Sequence, residues 1–142
     1  MNPQHIDALV DYFEHITPAG VETMGDYYDE SAYFRDPFNE VHTLAEIQAI
    51  FRKMYQQVDE PHFKILARYI SDNAVTLTWD FSFRMKLPAS QEKQIHGLTL
   101  LHFNDAGKVI YHRDYWDAAQ ELYEQIPAIG VVFKLMRKMI GH

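Results

Sequence analysis

Residues 77 to 86 alternate strictly between large apolar and polar side chains, and this feature constrains the fold more than any other. The apolar set is Leu77, Trp79, Phe81, Phe83 and Met85, and the polar set is Thr78, Asp80, Ser82, Arg84 and Lys86. Successive side chains of a β-strand point to opposite faces, so this pattern predicts a strand with one buried and one wet face. Such a strand belongs to a sheet that other elements must cover on one side.

Four runs with strand periodicity predict an antiparallel meander, at about 63–71, 75–87, 93–103 and 108–117. Turn-forming residues separate them, notably at 71–73 and 104–107. In the third run the expected inward set is Ile95, Gly97, Thr99, Leu101 and Phe103. The fourth run is ambiguous, because both of its alternating sets contain apolar and polar residues.

The first 60 residues follow a helical period instead. Apolar positions three and four apart mark a first helix, at Ile6, Leu9, Val10, Phe13 and Ile16. Thr43 and Glu46 have the spacing of a capping box at the start of a later helix. Helices followed by a sheet with one apolar face predict an α+β domain in which the helices pack on that face. We expect one domain over residues 1–142, with residues 118–142 as its C-terminal helical extension.

The C-terminal segment from 127 to 140 carries an apolar stripe opposite Lys134, Arg137 and Lys138. This pattern fits a closing helix packed on its own domain or on a second subunit. It also fits a helix lying on a membrane surface, because basic residues opposite a bulky apolar face suit that use.

The composition excludes several classes of function. The 142 residues include no cysteine, which excludes disulfide scaffolds, thiol nucleophiles and cysteine-based metal sites. The formal charge of -7 argues against nucleic acid as a partner, because such binding depends on Lys and Arg neutralising phosphates. The N-terminal segment lacks the basic start and unbroken apolar stretch of a secretory signal, so we expect a cytoplasmic protein.

Common catalytic and cofactor motifs are absent from the sequence. It has no glycine-rich phosphate loop, no G-x-S-x-G elbow and no H-E-x-x-H pair. The eight histidines include no pair four residues apart on a predicted helix. We therefore expect neither a metal site nor a cofactor. What remains is a small set of polar residues that the pattern turns toward the apolar interior, among them Tyr12, Asp36 and Thr99.

Two segments resemble the nuclear-transport-factor-2-like superfamily, in particular its ketosteroid isomerase and SnoaL-like branch. The stretch YYDESAYFRDP, which ends at Pro37, is similar to the family's helix end, acidic turn and strand closing in Asp-Pro. The stretch FNDAGKV, from Phe103 to Val109, is similar to its hairpin between the last two strands. The resemblance covers about residues 5 to 117 and implies a cone-shaped, curved antiparallel sheet with the N-terminal helices on its concave face.

The resemblance also implies roles for individual residues. In ketosteroid isomerases the Asp of the Asp-Pro step is the base that moves a proton between carbons, which assigns that role to Asp36. The tyrosine of the first helix, which donates to the developing oxyanion, corresponds to Tyr12. Thr99 stands where the family has a protonated Asp, and its hydroxyl donates one hydrogen bond without that acidity.

By the same resemblance, His112, Asp114 and Trp116 of the fourth run turn inward. The implied pocket holds Tyr12, Asp36, His112 and Asp114 as catalytic candidates, and SnoaL-like cyclases use a pocket Asp as the acid–base group. The ligand-binding candidates are Thr99, Trp79, Phe81, Phe83, Phe103 and Trp116. Each polar candidate also has a structural interpretation: Asp36 can cap a turn, Tyr12 can bond a carbonyl, and His112 with Asp114 can form a buried pair.

These expectations define the candidate functions and partners. The first is an isomerase, cyclase or dehydratase that uses acid–base chemistry on a hydrophobic carbonyl ligand without a cofactor. The second is a non-catalytic ligand-binding or dimerisation module, since this scaffold serves many functions. The third is a membrane-surface lipid-binding protein. The outward residues Tyr69, Tyr111, Arg113 and Tyr115 suit a sheet-to-sheet homodimer, as in the family.

Overall fold

The first helix begins at Pro3, where a missing backbone amide costs nothing, and Asn2 caps it by accepting a hydrogen bond from the Gln4 amide. The structure is a computed structural model that describes residues 2–86 and 91–125. Its helices are α1 (Pro3–Glu14), α2 (Pro18–Val21), α3 (Leu44–Gln57) and α4 (Ala118–Gln125), with a 3-10 turn at Met24–Asp26. Its strands are β1 (Tyr28–Arg35), β2 (Glu40–Val41), β3 (Val58–Ile70), β4 (Ala74–Met85), β5 (Glu92–Phe103) and β6 (Val109–Tyr115).

The six strands form one open sheet in the order β2-β1-β6-β5-β4-β3. The predicted meander is confirmed, because β3, β4, β5 and β6 pair antiparallel in sequence order. The sheet as a whole is mixed, since β1 lies parallel to β6. The chain leaves β1, crosses through α3 and winds back across four strands, so that its last strand lies beside its first. This return brings the ends of β1 and β6 together.

Helices α1 and α3 cover the apolar face of the sheet, which confirms the predicted α+β fold. The Thr43 side chain caps α3 by accepting from the Glu46 amide, as the capping-box pattern predicts. On β4, Leu77, Trp79 and Phe83 are buried, so the alternation identifies the inward face correctly. The core is made of helix and sheet residues that include Ile6, Leu9, Phe13, Ile47, Phe51, Val75 and Leu101.

Strand β6 contains an irregularity that explains the ambiguity of its sequence. The register between β5 and β6 shifts between the His102 and Phe103 pairs. As a result Val109 and His112 are both buried although they have opposite parity, while Ile110 is 39% exposed. A residue inserted by a β-bulge reverses the facing of everything beyond it. Neither alternating set of this strand is therefore apolar throughout.

The C-terminal region is described as far as α4, which lies at the start of the helical extension expected over 118–142. Its first helical residue, Ala118, is buried, and Asp117 caps the helix by accepting from the Gln120 amide. The proposed apolar stripe and basic face over 127–140 lie outside the described residues. Within residues 2–86 and 91–125, no helix is both long and apolar enough to cross a membrane.

Candidate active site

A cleft of about 440 Å³ opens where the parallel strands β1 and β6 end. Residues 35–37, at the end of β1, form one side, and residues 113–117, at the end of β6, form the other. Two of the predicted catalytic residues, Asp36 and Asp114, therefore line the same cleft. They are also close enough for the charge of Asp114 to affect the ionisation of Asp36.

A continuous chain of side-chain hydrogen bonds leads from the buried sheet face to Asp114. Nε1 of Trp79 lies 2.8 Å from Oγ1 of Thr99, and this oxygen lies 2.5 Å from Oδ1 of Asp114. The same carboxylate oxygen lies 2.7 Å from Nε2 of His112, whose Nδ1 lies 2.6 Å from the Tyr28 hydroxyl. Four of these five residues are buried, and the Asp114 side chain is 19% exposed.

The chemistry of the donors fixes the direction of every bond in this chain. An indole nitrogen only donates, so Thr99 accepts from Trp79 and must give its one hydroxyl proton to Asp114. The Tyr28 hydroxyl has no partner other than His112 among the described residues. It therefore donates to Nδ1, which leaves the ring proton on Nε2 for Asp114. The bonds run inward from both ends and converge on a single carboxylate oxygen.

The second oxygen of Asp114 is available to a ligand. Oδ1 accepts both bonds, whereas Oδ2 has no hydrogen bond to another described residue. No buried side-chain nitrogen or oxygen in the described part of the chain lacks a partner, so Oδ2 is accessible from the cleft. One edge of the carboxylate is thus held rigidly and the other is free to act on a bound molecule.

The sheet register explains why these residues meet. Thr99 on β5 pairs with Leu77 on β4 and with Asp114 on β6, so it lies at the centre of three strands. Gly97 pairs with Trp79, and a Cβ there would lie 2.6 Å from the indole ring. The absence of a side chain at Gly97 lets the ring lie across β5, where its nitrogen reaches Thr99.

Asp36 also lines the cleft, but the protein itself uses its oxygens. Its Oδ1 accepts hydrogen bonds from the Phe38 and Asn39 amides at 2.7 Å each, and the Asn39 side chain approaches both oxygens at 3.1 Å. Burial raises the pKa of Asp36, the Phe38 amide and the Asn39 side chain lower it, and the charge of Asp114 raises it. This arrangement matches the turn-capping interpretation of the Asp-Pro step.

Tyr12 lies on α1, away from the residues that line the cleft. Its hydroxyl donates to the Gly20 carbonyl at 2.7 Å, and its ring stacks on Tyr27 with centroids 4.3 Å apart. Burial raises the pKa of the Tyr12 hydroxyl, and the neighbouring Tyr27 raises it further. The one proton of this hydroxyl already has an acceptor, so the geometry matches the carbonyl-bonding interpretation.

The aromatic candidates fall into two groups. Trp79 and Phe83 are buried in one cluster with Phe81 and Trp116 packed against it, and Trp116 lines the cleft. Phe38, just after the Asp-Pro step, meets Trp116 edge to face at 5.6 Å. Phe103 lies elsewhere, beside a second depression of about 390 Å³ near the turn after β5.

Sequence reasoning missed Tyr28, although it completes the hydrogen-bond chain. Tyr28 is fully buried on β1, and burial together with the charge of Asp114 raises its pKa. Its inward facing follows from Ala32 and Phe34, which share its parity on the strand and are also buried. Among the described residues, no group of three or more His, Cys, Asp or Glu side chains converges as a metal site.

Comparison with solved structures shows the same fold in several bacterial proteins. A candidate SnoaL-like polyketide cyclase from Jannaschia sp. CCS1 superposes with a TM-score of 0.76 at 14% identity, covering 90% of this chain and 96% of that chain. A second candidate cyclase, from Shewanella putrefaciens CN-32, gives 0.73 at 21% identity over 89% and 98% of the two chains. A protein with a ketosteroid isomerase-like fold from Catenulispora acidiphila, in complex with trimethylamine, gives 0.71 at 15% identity over 88% and 94%.

Sequence comparison identifies the family directly. No functionally curated protein matches this sequence. The model of the SnoaL-like domain matches residues 9–112, a span that runs from α1 into β6. The chain therefore belongs to the SnoaL-like domain family.

Proposed function

We propose that the cleft at the ends of β1 and β6 binds a small hydrophobic carbonyl compound and that Asp114 moves a proton to or from a carbon beside that carbonyl. The accessible Oδ2 of Asp114, on a carboxylate whose Oδ1 accepts from Thr99 and His112, is the observation that supports this most. A base needs an open lone pair and a fixed orientation, and this carboxylate has both. His112 and Thr99 then act as positioning residues.

Trp116 is the best candidate to stabilise the negative charge that develops on the carbonyl oxygen. It lines the cleft, and its indole nitrogen makes no hydrogen bond to another described residue. That nitrogen is accessible, because the described part of the chain contains no buried unpaired nitrogen or oxygen. Thr99 does not fit this role, since its only proton goes to Asp114. A fixed N–H donor at a developing oxyanion stabilises the transition state more than the ground state.

The test is α-proton exchange in deuterated water, followed by NMR, with methyl 4-oxo-4-phenylbutanoate and its free acid as probes. We expect the wild-type protein to accelerate exchange beside the ketone and Asp114→Asn to lower the rate by about 100-fold or more. Trp116→Phe should slow exchange while leaving some activity. Asp11→Asn, a change of an exposed carboxylate on α1, is the matched control. Equal rates for wild type and Asp114→Asn would contradict the proposal.

The second candidate is a binding protein that performs no reaction. It is favoured by the His112–Asp114 pair, whose buried nitrogen and oxygen atoms all have partners, as a purely structural pair requires. The relative from Catenulispora acidiphila holds trimethylamine, which supports small-molecule binding by this fold. Saturable probe binding in a calorimeter, with no exchange above the buffer rate, would select this candidate.

We also propose that the chain forms a homodimer through the outer face of the sheet. Tyr69 on β3 is 63% exposed, and Leu66 on the same strand is 46% exposed. Large exposed apolar side chains on one sheet face are typical of a protein–protein contact. Sedimentation should show a dimer that Tyr69→Glu weakens, and a monomeric wild type would contradict this proposal.

A further inference from the structure

Arg35 and Arg113 face each other across the two parallel strands at the entrance of the cleft. They are register partners of β1 and β6, and both line the cleft with Tyr115 and Trp116. Neighbouring strands lie about 4.8 Å apart, so the two arginine side chains leave the sheet from adjacent positions. Like charges on directly paired strand residues destabilise a sheet unless something neutralises them.

This arginine pair has no ion-pair partner in the described part of the chain. Neither guanidinium forms an ion pair there, whereas Arg52, Arg68 and Arg84 all do. Glu40 is the acid whose charge interacts with both, but its carboxylate accepts a hydrogen bond from Tyr33 at 2.5 Å. In a chain with 20 acidic and 13 basic residues, two adjacent arginines without a carboxylate partner stand out.

Aromatic neighbours position the two guanidinium groups. Cζ of Arg113 lies 4.6 Å from the centroid of the Tyr115 ring, and the nearby Tyr111 hydroxyl raises the pKa of Arg113. Glu40 raises the pKa of the Tyr33 hydroxyl and the nearby Arg35 lowers it, and the Tyr33 ring stacks on Tyr111 with centroids 5.1 Å apart. Each guanidinium has five N–H donors, so most remain free after these contacts.

The carboxylates of the cleft make more hydrogen bonds within the protein than the two arginines do. The Asp36 oxygens accept from the turn that follows them, Oδ1 of Asp114 accepts two bonds, and Asp117 caps α4. Apart from one free oxygen each on Asp114 and Asp117, the unused hydrogen-bonding capacity in the cleft therefore lies in arginine donors. Such donors fit a planar carboxylate, which accepts two parallel N–H bonds.

We infer that Arg35 and Arg113 form an anion site at the cleft entrance and that the ligand is an organic acid carrying a carboxylate as well as a carbonyl. The carboxylate binds the arginine pair, while the carbonyl-bearing part lies against Trp116 and the free oxygen of Asp114. This inference rests on the proposed function, because it identifies the class of compound that the same cleft accepts.

The test compares 4-oxo-4-phenylbutanoate with its methyl ester by calorimetry. The two probes share the ring and the ketone and differ in the negative charge. We expect the acid to bind wild type about tenfold more tightly than the ester, since a charge-assisted hydrogen bond supplies that difference. Arg113→Gln and Arg35→Gln should each reduce this preference, and the double variant should abolish it. Arg68→Gln, which removes an exposed arginine on β3, should leave it unchanged.

Acetate provides a second readout that does not depend on the rest of the ligand. Titration of acetate should shift the side-chain Nε–H signals of Arg35 and Arg113 in a saturable way, without the same shift at Arg68. Absence of a saturable shift, or equal affinity for acid and ester, would overturn the anion site. Either result would overturn the anion site even if the wild-type protein exchanged α-protons, and the proposed function would then survive. A preference for the acid without any exchange would instead overturn the proton-transfer proposal and retain the anion site.

Discussion

Nε2 of His112 lies 2.7 Å from Oδ1 of Asp114, and the opposite nitrogen of the same ring lies 2.6 Å from the Tyr28 hydroxyl. A neutral histidine has one donor and one acceptor nitrogen, and here each has a partner of the opposite kind. A protonated ring would donate at both nitrogens and leave the buried Tyr28 proton without an acceptor. The pair is therefore neutral histidine with a carboxylate whose other oxygen remains free.

The first prediction is that His112 exists as the Nε2–H tautomer near neutral pH. ¹⁵N NMR of the ring should show a protonated Nε2 and an unprotonated, hydrogen-bonded Nδ1. The exposed His62 is the internal comparison, because it makes no hydrogen bond to another described residue that would fix one tautomer. Protonation of both nitrogens of His112 at neutral pH would contradict the assigned bond directions.

The second prediction concerns Tyr28→Phe, which removes one hydroxyl and leaves Nδ1 of His112 buried without a donor. We expect the free energy of unfolding to fall by about 1–3 kcal/mol, the usual cost of an unsatisfied buried group. Tyr55→Phe is the matched control, since its partly buried hydroxyl donates to the Ile16 carbonyl at 3.0 Å. Urea unfolding should show a smaller loss for the control. Equal losses of unfolding free energy would mean that the Tyr28–His112 hydrogen bond stabilises the protein no more than the Tyr55–Ile16 bond does.

The third prediction concerns the electrostatic coupling of the two cleft carboxylates. Burial raises the pKa of Asp36 above its ordinary value of 3.8, and the charge of Asp114 adds to this effect. Asp114→Asn removes that repulsion, so the Asp36 pKa should fall in a ¹³C NMR titration of its carboxyl carbon. Asp11→Asn should leave it unchanged, and an Asp36 pKa that stays constant or rises in Asp114→Asn would refute the coupling.

The same shift has a defined effect on stability. The native state holds the Asp36 proton more tightly than the unfolded chain does. The stability that Asp36 contributes is therefore fully present below about pH 3.8, the ordinary pKa, and is lost as the pH rises through the native value. In Asp114→Asn this loss should be smaller.

The fold could be predicted from the sequence because its local signals agree with one another. The period of two on β4 identified the buried face, and the capping box at Thr43 located the start of α3. The parallel pairing of β1 with β6 could not be read from periodicity, since register between distant segments depends on how the whole chain returns. Hydrophobicity alone could not predict which residues of β6 turn inward, because the bulge near Val109 reverses the alternation within the strand.

The residues of the site could be predicted as far as the alternation along each strand shows which polar side chains share the inward face. That reasoning, together with the family resemblance, brought Thr99, His112 and Asp114 together, as the structure does. It did not reveal how the protons are distributed. Asp36 and Tyr12 lie close to backbone amides and a carbonyl that compete for their hydrogen bonds, and such local competition depends on atomic positions. The use of those groups within the protein explains why Asp114 is the stronger candidate base.

The last prediction is that Gly97 positions the indole of Trp79. A Cβ at residue 97 would lie 2.6 Å from Cη2 of Trp79 and 2.9 Å from the Tyr115 carbonyl oxygen, which belongs to the backbone and cannot yield. Gly97→Ala must therefore displace the ring or separate the strands, and we expect it to cost about 1–3 kcal/mol of unfolding free energy, as overpacking does. Loss of the Trp79–Thr99 bond should also loosen Asp114.

Gly25→Ala is the matched control for this substitution. There the nearest atom is Cδ2 of Leu44 at 3.3 Å, the end of a side chain that can move, so the change should stay within about 0.5 kcal/mol. Urea unfolding and the α-proton exchange rate of both variants measure the two consequences separately. If Gly97→Ala unfolds at the same urea concentration as Gly25→Ala and exchanges protons at the wild-type rate, the close approach of the indole to β5 has no role in holding the carboxylate. If both quantities fall only at Gly97, the position of the Trp79 ring is what fixes the free oxygen of Asp114 in the cleft.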